Sequence, residues 1–236
     1  MAVSLSIPSS PLLDSEGHNN SYNESKRLAE RYLPFNITEL SKAAAASVGR
    51  NSDDVQSVRK LAGGGFNCIL ELIMRDGFQL IAKLPYPMTQ PKRLAVAGEV
   101  ATMDLVRGHG VPVPRIYGYS ADVDNLVGVE YILIEKVKGK PLGEVWFMLS
   151  QEHRIKVLSG IAKLEADLFS LDLPTNGSVY FEQDLPSGMG RVACQGGSVG
   201  KRLCIGPDAS LKFWFESRSA LDIERGPCES PTHSWK

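Results

Sequence analysis

From residue 25 to 49 the apolar positions recur at helical spacing, Leu28 and Tyr32 first, then Leu40, Ala44 and Val48. Pro34 stands between the two groups, so the pattern predicts two helices, the second ending at Gly49. The period then shortens. Residues 55–61, 67–75 and 78–84 read as three consecutive antiparallel strands, with Gly63-Gly64-Gly65-Phe66-Asn67 between the first two and Asp76-Gly77 predicting a type I′ turn between the second and third. Pro85, Pro87 and Pro91 break the chain before a helix over 92–107, marked by Val96, Val100, Met103 and Val106. Val111-Pro112-Val113-Pro114 enforces an extended approach to a strand at 115–119, and a fifth strand falls at 128–137. Beyond Gly139 and Pro141 the pattern is helical over 142–149 and 151–171, with Ile155, Leu158, Ile161, Leu164 and Leu168 along one face. A short strand pair near 178–182, a glycine-rich loop over 187–206 and a helix-like piece over 211–223 follow. The predicted class is α+β: a five-stranded antiparallel sheet with one inserted helix, then a partial helical region.

Four regions result: a flexible leader at 1–25, rich in Ser, Asn and Pro; a sheet domain at 26–137; a helical domain at 138–227; and a tail at 228–236. Twenty-six Lys and Arg nearly balance 27 Asp and Glu, which argues against nucleic acid or an anionic membrane as partner and favours a small ligand. No apolar run reaches the roughly 20 residues needed to span a bilayer, and the leader lacks the apolar core of a secretion signal. The leader also has no Lys or Arg but carries Asp14, Glu16 and Glu24, the opposite of a mitochondrial presequence. An intracellular, cytoplasmic location is therefore expected, with the four cysteines as free thiols.

Three features could carry chemistry. The triple glycine lets backbone N–H groups turn toward phosphate oxygens, although an ordinary hairpin turn would use the same residues. It is neither a Walker A loop, since no Gly-Lys-Ser/Thr follows, nor a dinucleotide fingerprint, since a strand comes next. Lys83, in Leu80-Ile81-Ala82-Lys83-Leu84, is an ammonium among apolar neighbours and needs an anionic partner. Glu99 shares a helix face with Thr102, Met103 and Val106, so its carboxylate points inward and can meet Lys83. A strand lysine after a glycine-rich hairpin, met by a helix glutamate, is the arrangement by which protein kinases hold the phosphates of ATP. Cys194, Cys204, Cys228 and His233 could form a Cys₃His zinc site, but structural zinc ligands come in closely spaced pairs, a spacing that only Cys228 and His233 nearly satisfy. His18 and His153 have no partner at a telling spacing and are expected in solvent. Gly196-Gly197 with Lys201-Arg202 lacks the interleaved aromatics of an RNA patch.

Taken together, Leu61-Ala62-Gly63-Gly64-Gly65-Phe66-Asn67, Ile81-Ala82-Lys83-Leu84-Pro85, Glu99-Val100-Ala101-Thr102-Met103, Val111-Pro112-Val113-Pro114 and Tyr131-Ile132-Leu133-Ile134-Glu135-Lys136-Val137-Lys138-Gly139 resemble the aminoglycoside phosphotransferase and choline kinase group. Within it the chain is most similar to the fungal branch that includes the altered inheritance of mitochondria proteins. Leu203-Cys204-Ile205-Gly206-Pro207, Phe213-Trp214 and Leu221-Asp222-Ile223-Glu224-Arg225-Gly226-Pro227 extend the likeness, which runs from about residue 22 to 227. The resemblance implies a protein-kinase-like fold whose five-stranded N-lobe and incomplete helical C-lobe clamp ATP. Gly63, Gly64, Gly65, Phe66 and Asn67 would then cover the phosphates, Lys83 would contact them, Glu99 would orient Lys83, and the backbone from Glu135 to Val137 would meet the adenine as the hinge. It also implies a small-molecule acceptor for the full-length family, and a mitochondrial location by resemblance only.

The departures from that pattern matter. The family's His-x-Asp loop with its following Asn, and its later metal-binding Asp motif, are not found in the 236 residues: His109 precedes Gly110 and His233 precedes Ser234-Trp235-Lys236. Phosphoryl transfer needs a carboxylate to position the acceptor and oxygen ligands for Mg²⁺. The expectation is thus a fragment of a kinase-like phosphotransferase that keeps part of an ATP site, has no catalytic residues and no Mg²⁺ ligands, and exposes the 151–171 face to aggregation or chaperone capture. The alternatives are a non-catalytic nucleotide-binding or scaffolding protein, and a partly folded truncated product.

Overall fold

The structure, a computed structural model, describes residues 31–63, 65–197 and 200–228. The predicted leader, the helix around Leu28, Gly64 and His233 lie outside the described residues. The chain is α+β, and two compact units divide it. The first holds the residues up to Ala97, Ile116–Glu135 and Ala209–Asp222; the second holds Gly98–Arg115, Lys136–Asp208 and the residues from Ile223 on.

Five antiparallel strands form the sheet of the first unit: β1 (Val55–Gly63), β2 (Asn67–Met74), β3 (Gln79–Pro85), β4 (Ile116–Ser120) and β5 (Tyr131–Glu135), in the order β1-β2-β3-β5-β4. Helix α1 (Ile37–Ser47) begins where Asn36 Oδ1 accepts from the N–H groups of Thr38 and Glu39, at 3.1 and 3.2 Å, and Gly49 follows its end at φ 69°. Its apolar positions Leu40, Ala44 and Ala45 are fully buried in one core cluster with Cys68, Leu70, Leu72, Met74, Leu80, Ala82, Leu84 and Leu133. Strand alternation therefore sends the even positions of β2 and β3 to this core and the odd ones to the other face. Each leucine so buried contributes about 1.5–3 kcal/mol. Between β4 and β5, Asn125 organises the loop: its Nδ2 donates to Ser120 Oγ, Asp122 O and Val129 O, and its Oδ1 accepts from the Val127 and Gly128 N–H groups.

The β2–β3 connection is not the predicted type I′ turn. Gly77 N–H bonds Met74 O at 2.9 Å and Met74 N–H bonds Phe78 O at 2.8 Å, which defines a three-residue loop with Gly77 at φ 81°. The extra residue lets Asp76 Oδ1 accept from the Phe78 N–H at 3.0 Å and from Arg50 at 2.6 Å. Those donors, the Phe78 N–H first, hold the Asp76 carboxyl below its ordinary range.

Helix α2 (Lys92–Gly108) follows β3, as the spacing predicts, with Leu94, Val96, Ala97, Val100, Ala101, Leu105 and Val106 buried. Its first six residues belong to the first unit and the rest to the second. Within the second unit, three antiparallel strands, β6 (Ser178–Phe181), β7 (Val192–Cys194) and β8 (Leu203–Gly206), form a sheet in the order β6-β8-β7. The predicted glycine-rich loop thus contains two strands, and all four residues of β8 are buried. Glycine at 206 is required by packing, since a Cβ there would stand 2.8 Å from Leu185 Cδ1 and 3.0 Å from Tyr180 Cδ2. Tyr180 donates its hydroxyl to Pro207 O at 2.7 Å, and burial raises the phenol's pKa.

The second unit also holds the short helix α3 (Leu142–Val145) and the long helix α4 (Gln151–Phe169). Ser150 caps α4, and its Oγ lies 2.7 Å from His153 Nδ1, so His153 is exposed as expected but does have a serine partner. None of the residues of α4 is buried: Ile155 and Leu158 are each 55% exposed, and Ile161 and Leu168 are 44% and 43%. The predicted helix at 211–223 is absent. Two 3₁₀ turns, Leu211–Phe213 and Glu216–Ala220, take its place because Phe215 between them is extended at φ −70°, ψ 129°.

Candidate functional site on the sheet of the first unit

The face of the sheet away from the core cluster is built by Ser57 and Arg59 of β1 and by the odd positions of β2 and β3. Register places Ser57 opposite Ile73, Arg59 opposite Glu71, Ile69 opposite Lys83, and Glu71 opposite Ile81. On the other side of β3, Lys83 faces Ile132 and Ile81 faces Ile134. The result is a carpet of isoleucines in which the charged strand residues are Arg59, Glu71 and Lys83, one on each of three neighbouring strands. Ile81 and Ile132 are 8% and 1% exposed, so a charge beside them is poorly solvated and must be compensated.

The glycine hairpin closes one end of that face. Gly63 still pairs with Cys68 in the β1–β2 ladder, and Gly65 and Phe66 are exposed. A Cβ on Gly65 would meet nothing within 4 Å, so its lack of a side chain leaves open space above the backbone. The hairpin is tied on its β2 side: the Phe66 carbonyl accepts from the Tyr86 N–H at 2.9 Å and from Thr89 Oγ1 at 2.6 Å. Asn67 opens β2, opposite Pro85.

Lys83 is half-buried at the middle of β3. Glu99 is half-buried on α2, in the second unit, between the buried Gly98 and Val100. Neither is without a partner. Glu135 ends β5 and Val137, 63% exposed, lies just beyond it, so the expected hinge falls where the chain passes from the first unit to the second. Cys68 is buried behind the hairpin, and burial pushes its thiol pKa up, which leaves it protonated and inert at neutral pH.

Sequence reasoning missed two carboxylates. Glu71 is 0% exposed and ion-pairs with Arg59, whose side chain is 60% exposed. The available signal was a charge inside the apolar run of β2, the same signal that singled out Lys83. Glu130 is 6% exposed, and its Oε2 lies 3.4 Å from Lys92 Nζ. Lys92, at the start of its helix, is therefore paired and only 20% exposed. Among the described residues no group of three or more His, Cys, Asp or Glu comes together, and no helix is long and apolar enough to cross a membrane. Cys194, Cys204 and Cys228 are free.

Among curated proteins the chain is similar to a subtelomeric hrmA-associated cluster protein of Aspergillus fumigatus, 36% identical over 177 residues that make up 75% of this chain and 34% of that protein. It is also similar to the altered inheritance of mitochondria protein 9, mitochondrial, of Yarrowia lipolytica, 27% identical over 210 residues, 82% of this chain and 36% of that protein. The protein of the same name from Candida tropicalis is 28% identical over 172 residues, 67% of this chain and 28% of its own length. The chain spans about a third of the length of these relatives. No protein-family model matches it. No solved structure matches it.

Proposed function

We propose that this chain is the nucleotide-binding part of a small-molecule-kinase-like protein of the aminoglycoside phosphotransferase and choline kinase group, and that it holds ATP without transferring its phosphate. One observation carries the reading: Lys83 lies on an isoleucine face closed by a glycine hairpin whose Phe66 carbonyl is pinned by Tyr86 and Thr89. A cation on a dehydrating apolar surface, next to a loop with backbone N–H groups and open space at Gly65, suits a triphosphate. The resemblance assigns the residues beside it: Gly63, Gly64, Gly65, Phe66 and Asn67 over the phosphates, Glu99 orienting Lys83, and the backbone from Glu135 to Val137 at the adenine.

The donor set fits the nucleotide better than its metal. Lys83 and the hairpin supply what phosphate oxygens need, whereas no carboxylate cluster among the described residues is assigned to Mg²⁺. The ATP would bring its own leaving group. The chain's residues would hold the phosphates, exclude water beneath the hairpin and present the adenine edge to main chain. With no His-x-Asp loop in the 236 residues, no group here is assigned to take the acceptor's proton.

A location follows from the same relatives. The relatives named altered inheritance of mitochondria protein 9 are called mitochondrial, which supports a mitochondrial location for this chain as well. The cytoplasmic expectation gains no such support.

The test is thermal unfolding with and without ATP. A ligand that binds only the native state at a hundred times its Kd stabilises it by about 2.7 kcal/mol. The expected result is a rise in Tm with ATP that adenosine alone does not reproduce. Equal melting curves would refute nucleotide binding and favour the scaffolding alternative.

A further inference from the structure

We propose that Glu71 is a positioning residue for Lys83: the buried carboxylate on β2, braced by Arg59 on β1, takes the Lys83 ammonium along the diagonal of the β2–β3 ladder and sets where it points. Three observations converge. First, register makes Glu71 and Lys83 same-face diagonal neighbours, since Glu71 sits opposite Ile81 and Lys83 opposite Ile69. Diagonal pairs of this kind have Cα atoms about 7–8 Å apart, within reach of two long side chains.

Second, Glu71 is 0% exposed. An ionised carboxylate out of water needs its charge compensated, and Arg59, which pairs with it, is 60% exposed and spends much of its charge on solvent. A second cation on the apolar side balances the carboxylate better than the first can alone. Third, the polar and charged residues facing Lys83 from the adjoining strands are few. Glu71 and Asn67 are on β2, Arg59 lies beyond them on β1, and β5 offers only Ile132 and Ile134. The charges alternate across the three strands as plus, minus, plus, so the strands themselves carry one net positive charge on this face.

This deepens the proposed nucleotide site and rests on it for its functional consequence: Lys83 would be held in place on the sheet itself. A lysine tethered this way presents its ammonium to a phosphate without first being ordered by the ligand.

The experiment is NMR of the whole chain at one neutral pH, labelled with ¹³C at lysine Cε, and it requires no nucleotide: the Lys83 Cε methylene order parameter reads how firmly the ammonium is held. In Glu71→Gln it should fall to that of the exposed Lys163, because the ammonium loses the carboxylate that holds it. In Arg59→Ala it should rise, because the carboxylate is no longer shared. Glu71→Asp should give an intermediate value, restoring charge but not reach. An unchanged Lys83 order parameter in folded Glu71→Gln would overturn the proposal. If Glu71→Gln does not fold, Arg59→Ala decides alone: no rise overturns it. A lowered order parameter in a chain that does not bind ATP would keep the Glu71–Lys83 pair and remove only the nucleotide reading.

Discussion

Replacing Lys83 with alanine weakens ATP binding by tenfold to a hundredfold while leaving the fold intact. The magnitude is that of one hydrogen bond to a charged group, about 1.5–3 kcal/mol. The fold survives because Lys83 is on the face away from the core cluster, its neighbours Ile69 and Ile132 remain packed, and the buried Glu71 keeps its ion pair with Arg59. The control must be chosen with care. Lys92 does not serve, since it is paired with the buried Glu130 and its loss would leave that carboxylate uncompensated. Lys163, exposed on α4, is the better comparison, and Lys163→Ala should leave ATP affinity unchanged. Calorimetric titration of the two variants reads the difference directly. Equal affinities would detach Lys83 from the site.

The second large effect concerns α4. Ile155, Leu158, Ile161 and Leu168 form one apolar stripe at helical spacing, each more than two-fifths exposed, and Phe169 beside them is 89% exposed. A contiguous apolar patch of this sort favours self-association or capture by a chaperone. The wild-type chain should bind an apolar dye such as ANS strongly and elute in part as oligomers. The double substitution Leu158→Glu with Ile161→Lys should cut the dye signal several-fold and shift the protein toward monomer. Its effect on unfolding free energy should stay within about 0.5 kcal/mol, because exposed positions contribute little to stability. Unchanged dye binding and elution would show that the stripe is not what associates.

How much of this was legible in the sequence differs from element to element. The five strands and the helix after β3 were readable because alternation, the glycine hairpin and the proline cluster act locally and agree with one another. The β2–β3 turn was half-readable. Asp76-Gly77 suits both a two-residue and a three-residue loop, and the choice depends on the bond from Met74 N–H to Phe78 O and on Arg50 reaching Asp76, which no local window contains. The 211–223 segment has helical spacing in its apolar residues, yet the extended Phe215 divides it into two 3₁₀ turns. In the glycine-rich stretch, the four buried residues of β8 show no alternation at all, so periodicity had nothing to detect.

The candidate site divides in the same way. Lys83 could be found because a lysine inside an apolar strand stands out, and Glu71 met that same criterion in Asn67–Met74. What could not be read was its partner: Arg59 is twelve residues earlier and only the register of β1 against β2 brings it alongside. Lys92 and Glu130, thirty-eight residues apart, are a second case of a pair that chain order conceals. Pairing between strands is a long-range property, and it decides which charges share a face.

The central claim, binding without turnover, is tested most directly by ³¹P NMR of ATP and Mg²⁺ mixed with a stoichiometric amount of the 236-residue chain and a small-molecule alcohol such as choline. The account predicts broadened and shifted triphosphate resonances that persist, with no new phosphate ester or orthophosphate line. Triphosphate lines identical to those of free ATP would contradict the binding half of the claim. A growing phosphate ester signal that disappears in Lys83→Ala would contradict the other half.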